Sequence, residues 1–162
     1  MRKYWIIAVL LFIFLTVGIS IFTYSRFHPI INIKTEIINI TEKNRSKLDI
    51  ENTQKHNYKK LNFTLNIKYP NKIDDIKIDI PYSLKELLGE DIYWQGSGYQ
   101  FKDPTKNVIE YKEEIILNYL KVENKDIKDL LSKGTINVIW KIDGKEKSKT
   151  INIGETITFS ND

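Results

Sequence analysis

The residues best suited to contacting another molecule lie in one aromatic segment, residues 93–101. Its sequence, YWQGSGYQF, combines aromatic rings and amides with a Gly-Ser-Gly interruption. Aromatic faces beside amides can stack on sugar rings or anchor a protein partner. Glycine allows a backbone to approach a ligand closely. The segment therefore gives five candidate partner- or ligand-binding residues: Tyr93, Trp94, Gln95, Tyr99 and Phe101.

The same aromatic residues have a structural interpretation. Trp94, Tyr99 and Phe101 would fill the core of a small domain, while Gly-Ser-Gly would form a turn or a bulge. Trp140 lies in an alternating strand pattern and is predicted to be a core residue. The exposure of Trp94, Tyr99 and Phe101 distinguishes a binding surface from a core.

Other residues that could do chemistry do not form a recognisable site. The chain has no cysteine and only two histidines, His28 and His56. The glycine spacing around Ser97 is not that of a hydrolase nucleophile elbow. The adjacent carboxylates at 74–75 and at 113–114 would point to opposite faces of a strand. We predict no catalytic residue, no metal and no cofactor, and expect a protein that is not an enzyme.

The elements that carry these residues read mainly as short strands. Alternation of apolar and polar residues marks strands at 61–69, 76–80, 108–120 and 136–142, and Ile157 and Phe159 mark a terminal strand. The first two of these are predicted to form an antiparallel pair, because only a short turn separates them.

Local signals place turns between the strands. Ser83 and Glu86 form a capping-box pattern, and Asn124 is predicted to cap a second short helix. Asp143-Gly144 predicts a tight hairpin turn. Residues 112–114 are a candidate bend or bulge in their strand. Seven or eight strands with short helical turns favour an immunoglobulin-like antiparallel β-sandwich, a mainly β fold class.

An apolar segment precedes this domain. Residues 4–25 contain no charged residue, and about 20 apolar residues in a helix span a membrane core of about 30 Å. We predict a transmembrane signal-anchor helix whose partner is the lipid bilayer. The alternative is a cleaved signal peptide, although Gly18-Ile19-Ser20 is a poor cleavage site. Arg2 and Lys3 favour an N-terminus inside the cell membrane and a C-terminal domain outside.

The chain therefore divides into four predicted parts. These are a short cytoplasmic tail at 1–3, the membrane helix at 4–25, a juxtamembrane strand and polar loop or stalk at 26–58, and the β-sandwich at 59–162.

Composition limits the partners of this protein. The net charge is +4, with 25 Lys and Arg against 21 Asp and Glu, so no basic patch indicates nucleic acid. The layout resembles small, membrane-tethered, immunoglobulin-like envelope proteins of Gram-positive bacteria. We expect an extracytoplasmic module for protein interaction or assembly at the cell envelope. The alternatives are a binder of cell-wall polysaccharide and a secreted soluble domain.

Overall fold

The protein is mainly β-structure, arranged in two sheets. The computed structural model describes residues 2–40 and 58–160. In chain order the elements are α1 (Arg2–Phe27), β1 (Ile30–Asn39), β2 (Tyr58–Lys68), β3 (Asp75–Asp79), α2 (Leu84–Leu88), β4 (Tyr93–Asp103), β5 (Val108–Asn118), α3 (Asn124–Leu131), β6 (Thr135–Ile142), β7 (Lys145–Asn152) and β8 (Ile157–Phe159). Sheet A has the order β4-β5-β2-β1-β8, and sheet B has the order β3-β6-β7. The predicted mainly β class is confirmed.

The apolar N-terminal segment forms the helix α1, which extends past it at both ends. The described apolar side chains from Trp5 to Ile19 are exposed. Within the residues that the structure describes, no helix combines the length and the apolar character needed to cross a membrane. The membrane-spanning role of residues 4–25 stays a prediction.

The core lies between the two sheets and follows the predicted alternation. In β2, Leu61, Phe63 and Leu65 are at most 2% exposed, whereas the residues between them are only partly buried. Sheet B contributes Val138 and Trp140 from β6 to the same core. Full burial of each large apolar side chain stabilises the fold by about 1.5–3 kcal/mol. Trp140 is 4% exposed, so its predicted core position is confirmed.

The predicted pairing of β2 with β3 is wrong. β2 lies between β1 and β5 in sheet A, whereas β3 pairs with β6 in sheet B. The chain leaves sheet A at Tyr69, whose N–H donates to the Asn107 carbonyl. It joins sheet B at Asp74, whose N–H donates to the Lys141 carbonyl. The short connection at residues 70–73 therefore crosses between sheets.

Sheet A includes a strand, β1, that lies before residue 59, where the β-sandwich was predicted to begin. β1 pairs with β2 along its whole length, from Ile30 opposite Lys68 to Asn39 opposite Lys59. It also pairs with β8 in parallel, so the sandwich is not purely antiparallel. The polar loop or stalk predicted within 26–58 falls mostly on residues 41–57, which lie outside the described residues.

The helix caps and turns predicted from neighbouring residues agree with the structure better than the predicted strand pairing does. Ser83 caps α2, and its N–H donates to the Glu86 carboxylate at 2.7 Å. The cap of α3 is Glu123 rather than Asn124, and the N–H of Glu123 donates to Asp126. Asp143-Gly144 joins β6 to β7, and both residues have positive φ.

Candidate functional site

Strand β4 forms one edge of sheet A and carries all five candidate residues. It is 11 residues long, pairs with β5, and contains no charged residue from Tyr93 to Phe101. Edge strands expose unpaired backbone N–H and C=O groups, which natural proteins protect with charge or short length. β4 is long, and its two charged residues, Lys102 and Asp103, lie together at its C-terminal end.

The other edge strands in the described part of the chain differ from β4. β3 has five residues and β8 has three, so each offers a short edge. β7 has eight residues, but its sequence KEKSKTIN carries four charges. Charge and short length are the usual defences against an added strand. β4 is therefore the edge best suited to pairing with another chain.

The turn that follows β4 holds it against β5. The Asp103 carboxylate accepts hydrogen bonds from the backbone N–H and the hydroxyl of Thr105, at 3.0 Å and 2.6 Å, and from the Lys106 N–H. The Thr105 hydroxyl is the main cause that holds the pKa of Asp103 below its ordinary value. Asn107 completes the turn with a positive φ of 53°. The remaining register is regular from Asp103 back to Gln95.

Three aromatic side chains of β4 are half-exposed, so the core interpretation of them is wrong. Trp94 is 54% exposed, and Tyr99 and Phe101 are each 51% exposed. Opposite residues of an antiparallel pair share a face, and Tyr99 and Phe101 lie opposite Lys112 and Glu110. These residues belong to the face of sheet A directed away from the core, which we call the outer face.

Trp94 occupies an irregularity in the strand. The β4–β5 register shifts between Tyr93 and Gln95, so the bulge lies here and not at residues 112–114, where pairing is continuous. The Trp94 ring packs edge-on against Tyr58, with 5.5 Å between centroids. Tyr58 is buried, whereas Gln95 is exposed. Bulges re-aim side chains at sheet edges, and this one separates Tyr93 from the other candidate residues.

A shallow depression of about 210 Å³ adjoins Tyr99 on the outer face. Its lining is mostly apolar and also includes polar side chains, among them Asn62, Thr64, Lys112 and Glu114. Lys112 forms an ion pair with Glu110 at 2.6 Å. Its pKa is raised first by the hydrogen bond to Glu110 and then by that to Tyr99. An aromatic ring thus borders polar groups able to bind hydroxyls.

Tyr93 lies on the opposite face, in an open cavity of about 360 Å³ that shares Ser97, Gly98, Tyr99 and Glu113 with the depression. We call this cavity the inner cleft. β5 contributes Tyr111 and Glu113, and β4 contributes Tyr93, Gly96, Ser97, Gly98, Tyr99 and Gln100. The register places Gly98 opposite Glu113 and Gln100 opposite Tyr111. The five predicted residues therefore lie on both faces of the edge strand, and of these five Tyr93 and Tyr99 line the inner cleft.

Glu113 is the charged group of the inner cleft. The Tyr111 hydroxyl donates to its Oε2 at 2.7 Å. Burial raises the pKa of Tyr111, and this hydrogen bond raises it further. The pKa of Tyr93 is also raised, first by burial and then by the negative charge of Glu113. The carboxylate is therefore electrostatically coupled to both phenols.

Sequence reasoning missed Tyr111 and Glu113 as site residues. Glu113 and Glu114 do face apart as predicted: Glu113 is half-buried, whereas Glu114 is exposed and pairs with Lys60 at 2.6 Å. The missed signal was the alternation that places Glu113 on the same face as Ile115 and Leu117, which are both fully buried. A carboxylate on the apolar face of a strand requires an explanation.

Of the two histidines, His28 directly follows α1. The His28 ring stacks on Tyr24 at 4.0 Å and lies edge-on to Trp140, while His56 lies outside the described residues. Across residues 2–40 and 58–160, no group of three His, Cys, Asp or Glu side chains could hold a metal ion.

Comparison with known proteins gives no relative. No protein family, characterised protein or solved structure matches this chain significantly.

Proposed function

We propose that this chain is a membrane-tethered, immunoglobulin-like module that binds another protein at the outer surface of the bacterial cell envelope. The observation that carries the proposal is β4, an edge strand that has no charge from Tyr93 to Phe101 and carries three half-exposed aromatic side chains. An added strand would gain backbone hydrogen bonds from this edge, and the aromatic rings would supply apolar contact. A tether raises the effective concentration near partners in the same membrane.

The order of strands supports the immunoglobulin-like part of the proposal. If β1 to β7 are read as strands A to G, sheet A contains D-E-B-A and sheet B contains C-F-G. These are the two sheets of the seven-stranded constant-type sandwich. The strand β8 is an addition, which pairs in parallel with β1. The chain contains no cysteine, so this sandwich would have no disulfide between its sheets.

The sequence of residues 4–25, taken as a whole, supports the membrane tether. It carries no charge, and α1 has 26 residues, equivalent to about 39 Å of helix against a membrane core of about 30 Å. Exposed apolar side chains such as Trp5, Phe12 and Phe14 would be solvated by lipid.

Single-cysteine labelling tests the tether and its orientation, because the chain has no cysteine of its own. In intact cells, a membrane-impermeant maleimide should label Lys147→Cys and should label Lys3→Cys only after lysis. Recovery of a chain shorter by about 20 residues would instead support the secreted alternative. Labelling of Lys3→Cys alone in intact cells would reverse the proposed orientation.

Site-specific photo-crosslinking tests the binding edge. A photoreactive phenylalanine analogue at Phe101 should form one protein adduct in intact cells. The same analogue at Tyr82, which is 56% exposed and outside the strands, is the matched control and should form none. Tyr99→Lys should reduce the adduct at Phe101 by about tenfold, because a charge on this face opposes apolar docking. Equal adducts at the two positions would contradict the proposed edge.

The depression beside Tyr99 favours a second candidate function, binding of wall polysaccharide. An aromatic ring bordered by the polar side chains of Asn62, Lys112 and Glu114 is suited to a sugar ring and its hydroxyls. Purified cell wall should then retain the chain, and Tyr99→Ala should abolish that retention while the fold stays intact. Unchanged retention after Tyr99→Ala and Trp94→Ala would exclude stacking on these rings.

A further inference from the structure

The inner cleft lies directly beneath the edge strand that is proposed to bind a partner. Successive side chains of an added strand would alternate between the outer face and the inner cleft. Side chains directed outward would meet Tyr99 and Phe101, and those directed inward would meet Tyr93, Tyr111 and Glu113. Backbone pairing supplies affinity in such complexes, while pockets for alternate side chains supply specificity.

The negative charge of Glu113 would favour a basic side chain of the partner in the inner cleft. Glu113 accepts a hydrogen bond from the Tyr111 hydroxyl, but in the part of the chain that is described it forms no ion pair. Lys112 belongs to the other face and pairs with Glu110. Lys85 does not line the cleft, and its Nζ lies 5.7 Å from the centroid of the Tyr93 ring. The carboxylate therefore has no charged partner among the described residues, and it lines the same cavity as Tyr93 and Tyr111.

Two glycines keep the cleft open. A Cβ at position 98 would lie 2.9 Å from the Lys112 carbonyl oxygen and 3.4 Å from the Glu113 Cγ. A Cβ at position 96 would overlap the Tyr93 hydroxyl. Side chains at these positions would displace the groups that line the cavity. The two glycines are thus explained by the close approach of the Lys112 carbonyl and of the Tyr93 hydroxyl.

We infer that the inner cleft binds a lysine or arginine side chain of the partner's edge-pairing segment. Glu113 supplies the counter-charge, and the faces of Tyr93 and Tyr111 supply cation–π contacts. A volume of about 360 Å³ accommodates the end of one such side chain. This inference rests on the proposed function and adds the chemical class of the partner segment: extended, basic on the inward side, and apolar on the outward side.

A titration with a small cation tests the inner cleft independently of any partner that pairs with β4. The full chain in detergent micelles would be titrated with N-acetyl-lysine methylamide while the ring resonances of Tyr93 and Tyr111 are followed by NMR. Two further compounds serve for comparison. N-acetyl-norleucine methylamide lacks the positive charge, and glucosamine is a sugar that carries an amine. Glu113→Gln removes the charge but keeps an acceptor for Tyr111. Glu114→Gln, on the outer face, is the matched control.

The lysine probe should shift both ring resonances saturably, and the norleucine probe should bind about tenfold more weakly. Glu113→Gln should weaken lysine binding by about tenfold, and Glu114→Gln by less than about twofold. Equal binding of the lysine and norleucine probes would overturn the inference, as would unchanged lysine binding by Glu113→Gln. Tighter binding of glucosamine would overturn the assignment to a protein side chain. Lysine binding together with failed crosslinking at Phe101 would reject the proposed edge and retain the cleft.

Discussion

Trp140 joins the β-sheets to the end of α1. Its replacement by phenylalanine should show how much this contact contributes to the free energy of unfolding. The indole Nε1–H donates to the Phe27 carbonyl at 3.2 Å, and Trp140 is 4% exposed. Phe27 is the last residue of α1, where helix carbonyls lack partners within the helix. His28 packs edge-on against the same indole, with 5.9 Å between centroids.

The expected cost of Trp140→Phe follows from two losses. The hydrogen bond to Phe27 contributes about 0.5–1.5 kcal/mol to stability. A phenyl ring also buries about 40 Å² less apolar surface than an indole, which costs about 1 kcal/mol at about 25 cal/mol per Å². We therefore expect the free energy of unfolding to fall by about 2 kcal/mol.

Trp94→Phe is the matched control, since it makes the same chemical change on a half-exposed ring. Its expected cost is less than about 0.5 kcal/mol. Urea unfolding in detergent, followed by far-UV circular dichroism, measures both variants. Hydrogen exchange at residues 27–30 should accelerate in Trp140→Phe only. Equal destabilisation by the two substitutions would refute the role assigned to the Trp140 hydrogen bond.

Two further substitutions test details of the fold. Gly144→Ala places a Cβ at a φ of 72° in the β6–β7 turn, and should cost about 1 kcal/mol in thermal unfolding; an unchanged melting temperature would contradict this turn geometry. The Tyr119 hydroxyl is buried without a hydrogen-bond partner among the described residues, and burial raises its pKa to about 12. Because the folded state binds this proton more tightly, the free energy of unfolding should fall as the pH rises from about 10 to about 12. Tyr119→Phe should reduce that alkaline loss and raise stability at pH 7 by about 1 kcal/mol; a large loss at pH 7 would point to a missed partner of the hydroxyl.

Features fixed by neighbouring residues could be predicted from the sequence. The Ser83–Glu86 capping box and the Asp143-Gly144 turn depend on hydrogen bonds or backbone angles within a few residues. Alternation likewise identified β2 and the core position of Trp140. The partner of β3 could not be predicted, because alternation describes the two faces of a strand and not the neighbour on its edge.

The sequence identified only part of the candidate site, because the rest depends on the register between β4 and its neighbouring strand. The composition of residues 93–101 identified the segment, but not the bulge at Trp94 that redirects its side chains. Whether Tyr99 and Phe101 faced the core depended on the register with β5, which is a long-range property. Glu113 enters the site through that register, opposite Gly98. No pattern within β4 alone contains this information.

The central claim is that a partner strand pairs with β4, and hydrogen exchange tests it most directly. The exchange of backbone amides would be compared between the chain in isolated cell envelopes and the chain purified in detergent. Pairing should slow exchange within β4, residues 93–103, by at least about tenfold, because free edge amides become hydrogen-bonded. The charged edge strand β7, residues 145–152, is the internal reference and should exchange equally in both samples. Equal exchange of β4 in both samples, or slowing at β7 instead, would contradict the account.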